Sequence, residues 1–289
     1  MKLFDLHCDS LYRGYTENQQ LGENRFHLDL KRGKRLERWS QCFAVWIPDE
    51  LRGKAAMTLF DGCCEKFRRE LAPYRSETFS PVLTVEGGAV LGGKLANLEK
   101  LADRGVKMMT LTWNGENELG GGADTALGLT PFGREALKEM ERLSIVADVS
   151  HASDALFYDV AEIAEKPIVA SHSNARAVCP HRRNLTDRQF QILRDKGGLV
   201  GLNFCVHFLR EDSNAHFEDL LRHADHFWSL GGETTLCLGS DYDGTDVPPE
   251  LDGIEKMQDL YELFLKHNYK ESLVNSLFFD NASKFFATL

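Results

Sequence analysis

Six residues of the kinds that bind metals or carry protons occupy one recurring setting in this sequence: each follows a short apolar run. His7 and Asp9 follow Leu3–Leu6. Their i, i+2 spacing places both side chains on one side of an extended backbone, where an imidazole nitrogen and a carboxylate oxygen converge on one ion. Glu86 closes Thr84-Val85, His151 follows Val149-Ser150, His172 follows Ser171, and Asp241 opens Asp241-Tyr242-Asp243-Gly244. Singly each is ordinary, since a His-x-Asp pair usually just hydrogen-bonds and an Asp-Gly step usually marks a turn. Together, three histidines, two aspartates and a glutamate exceed what one tetrahedral zinc needs. They suit two ions about 3.5–4 Å apart that share a carboxylate, with Glu86 as the natural bridge.

Such a set acts only if the fold gathers it. Apolar, β-rich runs bounded by turn residues predict eight strands: Leu3–His7, Cys42–Ile47, Val82–Glu86, Lys107–Trp113, Ile145–Ser150, Pro167–Ser171, Gly198–Asn203 and Thr235–Ser240. Helical periodicity fills most of the gaps, at Arg52–Leu71, Leu95–Arg104, Pro131–Leu143, Asp154–Ala164, Asp187–Lys196 and Phe217–Leu230. Gly253–His267 and Tyr269–Phe286 follow the last strand. Near-continuous apolar strands alternating with helices predict a parallel sheet covered by helices, and eight repeats suit one closed (β/α)8 TIM barrel over residues 1–289. The carboxyl ends of barrel strands meet at one face, so the six residues would share one pocket. Asn18–Arg38, polar and poorly periodic, is expected to be a loop over the mouth. Gly120-Gly121-Gly122 reads as a flexible turn, and no G-x-G-x-x-G follows a strand.

Composition narrows the partners. A net charge of -10 argues against nucleic acid or an anionic membrane. No apolar run approaches the roughly 18 residues of a membrane helix. The start, Met1-Lys2-Leu3-Phe4-Asp5, does not read as a signal peptide. The 7 cysteines include no Cys-x-x-Cys pair, and Cys42, Cys205 and Cys237 lie in apolar runs, which fits reduced thiols and a cytoplasmic location.

Other polar residues read more plainly. His223 and His226 share a predicted helix outside the barrel and are expected on a solvated face. His27, His181, His207, His216 and His267 have no ligand partner in sequence. Arg182 and Arg183 follow the sixth predicted strand near His172, where a guanidinium would clamp a carboxylate through two parallel hydrogen bonds. The plain alternative is pairing with surface acids such as Asp187.

The ordered set of motifs resembles the membrane (renal) dipeptidase family of zinc metallopeptidases, peptidase family M19. It comprises Asp5-Leu6-His7-Cys8-Asp9, Val85-Glu86-Gly87-Gly88, Met109-Thr110-Leu111-Thr112, Asp148-Val149-Ser150-His151, Ser171-His172-Ser173, Arg182-Arg183-Asn184, Asn203-Phe204 and Gly239–Gly244. The resemblance implies a barrel of the metal-dependent amidohydrolase type with two Zn2+ per chain, acting on dipeptides and commonly tolerating a D-residue on the carboxyl side. It implies that His7 and Asp9 hold one zinc, His151 and His172 the other, and Glu86 both. Asp241 would be the proton carrier, and Arg183 would bind the substrate carboxylate. A metal-bridged hydroxide would attack the peptide carbonyl. Animal members are secreted and lipid-anchored, whereas this chain resembles a cytoplasmic bacterial-type member with no membrane anchor, and a homodimer is left open. Where animal members carry a histidine after Met109–Thr112, this chain has Trp113. Its indole N–H is a donor only, and its ring is expected to narrow the pocket. The competing readings are another amidohydrolase-type hydrolase, a deaminase or lactonase, and a non-catalytic binding barrel.

Overall fold

The computed structural model describes residues 1–289. Seven strands form one sheet: β1 (Lys2–Asp5), β2 (Arg38–Trp46), β3 (Phe79–Glu86), β4 (Val106–Thr110), β5 (Val146–Asp148), β6 (Val200–Leu202) and β7 (Leu236–Leu238). Their order is β5-β4-β3-β2-β1-β7-β6, and every pairing is parallel. The sixth predicted strand, Pro167–Ser171, closes the ring by single bridges, Asp148 to Val169 on one side and Ala170 to Val200 on the other. Its hydrogen bonds run to both neighbours, from the Val169 N–H to the Ala147 carbonyl at 3.0 Å and from the Ala170 N–H to the Leu199 carbonyl at 2.9 Å. Pro167 has no N–H to extend that ladder. The result is the expected TIM-type α/β barrel with one segment reduced to a few residues.

Period-two alternation divides the strands into two cores. Phe4, Cys42, Met108, Val146, Val169, Leu199 and Cys237 form the inner cluster. Their neighbours Leu3, Phe43, Met109, Ala147, Ala170, Val200 and Leu236 join a larger cluster with the helices. Below the barrel the chain's end acts as a plug: Phe279 and Ala282 belong to the inner cluster, and the Phe286 ring lies 5.0 Å from that of Phe4. The catalytic-type residues therefore have only the opposite end of the barrel open to them.

Helix boundaries follow local chemistry. Thr130 caps Pro131–Arg142 with proline in the first turn, Ser153 caps Asp154–Ile163, and Thr186 with Gln189 forms a capping box on Asp187–Asp195. Three sequence expectations change. Asn18–Arg38 is not all loop, because Leu30–Gly33 is a helical turn and β2 begins at Arg38, four residues before the predicted strand. Gly120–Gly122 is not a free turn: the three glycines are buried and bridge to Leu129, Glu116 and Ala152. Side chains there would run into Gly128, Leu127 and the backbone of Trp113 and Asn114, so the small residues permit close packing. His223 is fully buried rather than solvated, with Nδ1 accepting the Ala175 N–H at 3.1 Å and Nε2 lying 3.1 Å from the Leu209 carbonyl.

Candidate metal centre

His7, Asp9, Glu86, His151, His172 and Asp241 converge beyond the carboxyl ends of β1, β3, β5, the Val169–Ala170 segment and β7, and all are buried. Glu86 is central. Its Oε2 lies 3.7 Å from His7 Nε2, while its Oε1 lies 2.8 Å from His151 Nε2 and 3.5 Å from His172 Nε2. His7 Nε2 is also 3.3 Å from Asp9 Oδ2 and 3.8 Å from Asp241 Oδ1. Three overlapping triads result, His7-Asp9-Glu86, Glu86-His151-His172 and His7-His172-Asp241, each with ligand atoms within 4.8 Å of one another. The third triad makes Asp241, expected as a proton carrier, a potential ligand as well.

The backbone bends to achieve this. His151 (φ 66°) and Asp241 (φ 62°) adopt left-handed conformations that non-glycine residues rarely take, as does Asp243 (φ 70°). Gly244 cannot be replaced without cost, because a side chain there would collide with the carboxylates of both Asp9 and Asp241.

Proton positions decide what the cluster can hold. The Ser171 hydroxyl donates to Asp148 Oδ2 at 2.5 Å, so it accepts from His172 Nδ1 at 2.7 Å. Asp148 also accepts the Thr110 hydroxyl at 2.7 Å and the N–H groups of Ser150 and Ser171, each at 2.9 Å. His151 Nδ1 donates to Asn114 Oδ1 at 2.8 Å. Both rings thus spend their proton on Nδ1 and turn bare Nε2 lone pairs inward, 3.0 Å apart and facing Glu86 Oε1. Burial, with help from the charge on Arg183, pushes both imidazoles well below their ordinary proton affinity, so they stay neutral. With Glu86 ionised, three acceptors meet without a proton between them, an arrangement that calls for a cation.

His7 shows the same demand from the other side. Burial alone would lower its proton affinity, but Glu86, Asp9 and Asp241 outweigh it and raise it to about 10. Burial also raises Glu86 well above the usual carboxylate range, with Asp9 and Asp241 adding to the shift. Asp9 Oδ1 is buried with no hydrogen-bond partner. The donor set, imidazole nitrogens and carboxylate oxygens with a two-sided glutamate, fits two divalent ions of the zinc type.

The centre opens into a cavity of about 320 Å3, lined also by Trp46, Trp113, His181, Arg183 and Phe208. Arg183 is buried beside the cluster, and its Nε and Nη2 have no partner. Arg182 instead points to the exposed rim, 2.6 Å from Asp124 Oδ1, and the expected partner Asp187 pairs with His226 at 2.7 Å. Trp113 stands on the cavity wall edge-on to Trp46, with ring centroids 5.0 Å apart.

Sequence reasoning missed several supporting residues. Asn203 Nδ2 donates to Asp241 Oδ2 at 2.9 Å, which leaves Oδ1 facing His7. Asp5 accepts the Ser240 N–H and hydroxyl and the Gln41 amide, tying β1 to its two neighbours below His7. His27, in the long segment after β1, donates its N–H to Asp243 Oδ1 and accepts the Asp243 N–H at Nδ1, both at 2.8 Å. Asp5, Asp148 and Asn203 belong to recognisable motifs. Asn114, Trp46 and His27 carry no sequence signal of their own.

A sequence model of the membrane dipeptidase family, peptidase family M19, matches residues 1–288. An uncharacterized protein from the pqqA 5′ region of Klebsiella pneumoniae is 35% identical over 212 residues, 69% of this chain and 78% of that protein. Among solved structures, a metallopeptidase of family M19 called dipeptidase AC superposes with a TM-score of 0.92 at 30% identity, covering 98% of this chain and 97% of that one. A metallopeptidase from Rhodobacter sphaeroides, bound to a phosphinate mimic of the dipeptide L-Ala-D-Ala, superposes with a TM-score of 0.89 at 28% identity over 99% of both chains.

Proposed function

Since the chain belongs to the membrane dipeptidase family, peptidase family M19, and is a metallodipeptidase, we propose that it hydrolyses dipeptides, including those with a D-residue on the carboxyl side, with two zinc ions per chain. His7 and Asp9 would hold one ion, His151 and His172 the other, and Glu86 would serve both. The Rhodobacter sphaeroides metallopeptidase, with its L-Ala-D-Ala mimic, supports the substrate class. When bound, such ions would make a water more acidic and would polarise a carbonyl oxygen.

The chain's own residues supply the rest. The observation that carries the dipeptide reading is Arg183, a buried guanidinium with two unpartnered nitrogens in the same cavity as the ligand cluster. It suits a free carboxylate, which accepts two parallel hydrogen bonds from such a fork. A dipeptidase needs such a cation for the terminal carboxylate, and that requirement separates this reading from a deaminase or lactonase acting on neutral substrates. Asp241, held at Oδ2 by Asn203, keeps Oδ1 free to take a proton from the attacking water and pass it to the departing amine. Trp113 and Trp46 bound the space beside the scissile bond, which favours small amino-side residues.

No helix is long and apolar enough to cross a membrane. The proposal extends to one functional unit over residues 1–289 and to a reducing, cytoplasmic setting. The latter is supported by seven cysteines that are all free and buried.

The test is a panel of L,L, L,D and D,D dipeptides, each free and amidated, with metal analysis of the purified protein. Two ions per chain and hydrolysis confined to free-carboxylate dipeptides are expected. Equal hydrolysis of amidated substrates would remove the Arg183 clamp.

A further inference from the structure

One wall of the cavity carries a histidine that no ligand motif claims. His181 lines the cavity with Arg183, and its Nδ1 accepts the backbone N–H of Arg183 at 3.2 Å. A backbone amide only donates, so Nδ1 carries a lone pair and the single proton of the neutral ring sits on Nε2. Burial, reinforced by the charges on Arg183 and Arg182, lowers the proton affinity of this imidazole and keeps it neutral. The ring lies 4.6 Å from that of Phe208, and the guanidinium of Arg183 lies 5.4 Å from the same Phe208 centroid. One aromatic side chain thus supports both groups, a neutral N–H donor and a guanidinium with free nitrogens.

We propose that His181 is a second binding residue for the carboxyl-terminal carboxylate of the dipeptide, with its Nε2–H donating to the carboxylate held on Arg183. This rests on the reading that Arg183 takes that carboxylate. A carboxylate offers about four lone-pair sites and a guanidinium fork fills two, so a third donor finds an open site. Because the donor is neutral, it adds no second charge to desolvate beside Arg183. Arg182 does not compete, since its guanidinium pairs with Asp124 at the rim.

Two substitutions separate the two ring nitrogens. His181→Asn keeps an acceptor near the Nδ1 position for the Arg183 N–H and loses the Nε2 donor. His181→Gln carries its amide out to the Nε2 position. The probe is a phosphinate analogue of Ala-Ala, as free acid and as carboxyl methyl ester, with binding to the metal-loaded protein measured by calorimetry. We expect His181→Asn to weaken the free acid roughly tenfold and His181→Gln to recover most of that loss, with ester binding unchanged in both. Unchanged free-acid binding in His181→Asn overturns the proposal, and so does an equal loss for the ester, which would make His181 a structural support only. If the parent protein binds acid and ester equally, the Arg183 reading fails and this inference with it. A parent that prefers the acid, beside an unaffected His181→Asn, overturns this inference alone.

Discussion

Asn114 Oδ1 lies 2.8 Å from Nδ1 of His151, a contact that takes up the ring proton and turns the opposite nitrogen, as a bare lone pair, toward Glu86. Partners of this kind hold a ligand's tautomer and orientation, and their loss typically costs 10–100-fold in metal affinity. Asn114→Ala should therefore lose metal to a competing chelator at roughly tenfold lower chelator concentration, with the fold retained by circular dichroism. A chelator titration superimposable on the parent's would show that His151 needs no such partner.

Glu86 offers one oxygen to His7 and the other to His151 and His172. Glu86→Ala removes the carboxylate that faces His7 with one oxygen and both His151 and His172 with the other, so metal analysis should find at most one tightly held ion per chain. Two tightly held ions in that variant would end the bridging assignment.

Asp241→Asn preserves shape and the contact with Asn203 at one side-chain atom, but an amide does not shuttle a proton. Turnover should fall by roughly 100-fold or more with both metals still present. Retained kcat would assign Asp241 to metal binding, the alternative its place beside His7 and His172 allows.

Trp113 meets Trp46 edge-on at 5.0 Å on the cavity wall. Trp113→Ala should widen the accepted range of amino-side residues while leaving kcat on the smallest dipeptide nearly unchanged. A variant whose preferences across a dipeptide panel match the parent's would sink the steric role.

His223 is buried, and burial lowers its proton affinity to about 4. A histidine with a depressed folded-state pKa costs nothing above its unfolded value near 6.5. It destabilises as pH falls below that value, because the unfolded chain binds the proton first, and the loss levels off near pH 4. Between pH 7 and pH 5 this residue should account for a loss on the order of 2 kcal/mol in urea unfolding. His223→Gln should remove that part of the pH dependence. An identical slope in parent and variant would refute the assignment.

The sequence by itself determined which residues gather, because apolar runs fix where strands stop and a parallel barrel carries every strand's carboxyl end to one face. The gathering of His7, Asp9, Glu86, His151, His172 and Asp241 was legible for that reason, and the resemblance pointed to Arg183 as the cation beside them. Only the tertiary structure shows how differently the two adjacent arginines sit, Arg183 buried beside the cluster and Arg182 paired at the rim, because that depends on which way each side chain leaves the loop. Tertiary contacts also set the ring protons of His151 and His172, which are dictated by Asn114 and by Ser171 on Asp148. The same holds for the left-handed backbone at His151 and Asp241 and for the buried place of His223. Strand ends are set by local periodicity, whereas proton positions, strained dihedrals and burial are set by contacts between segments far apart in the chain.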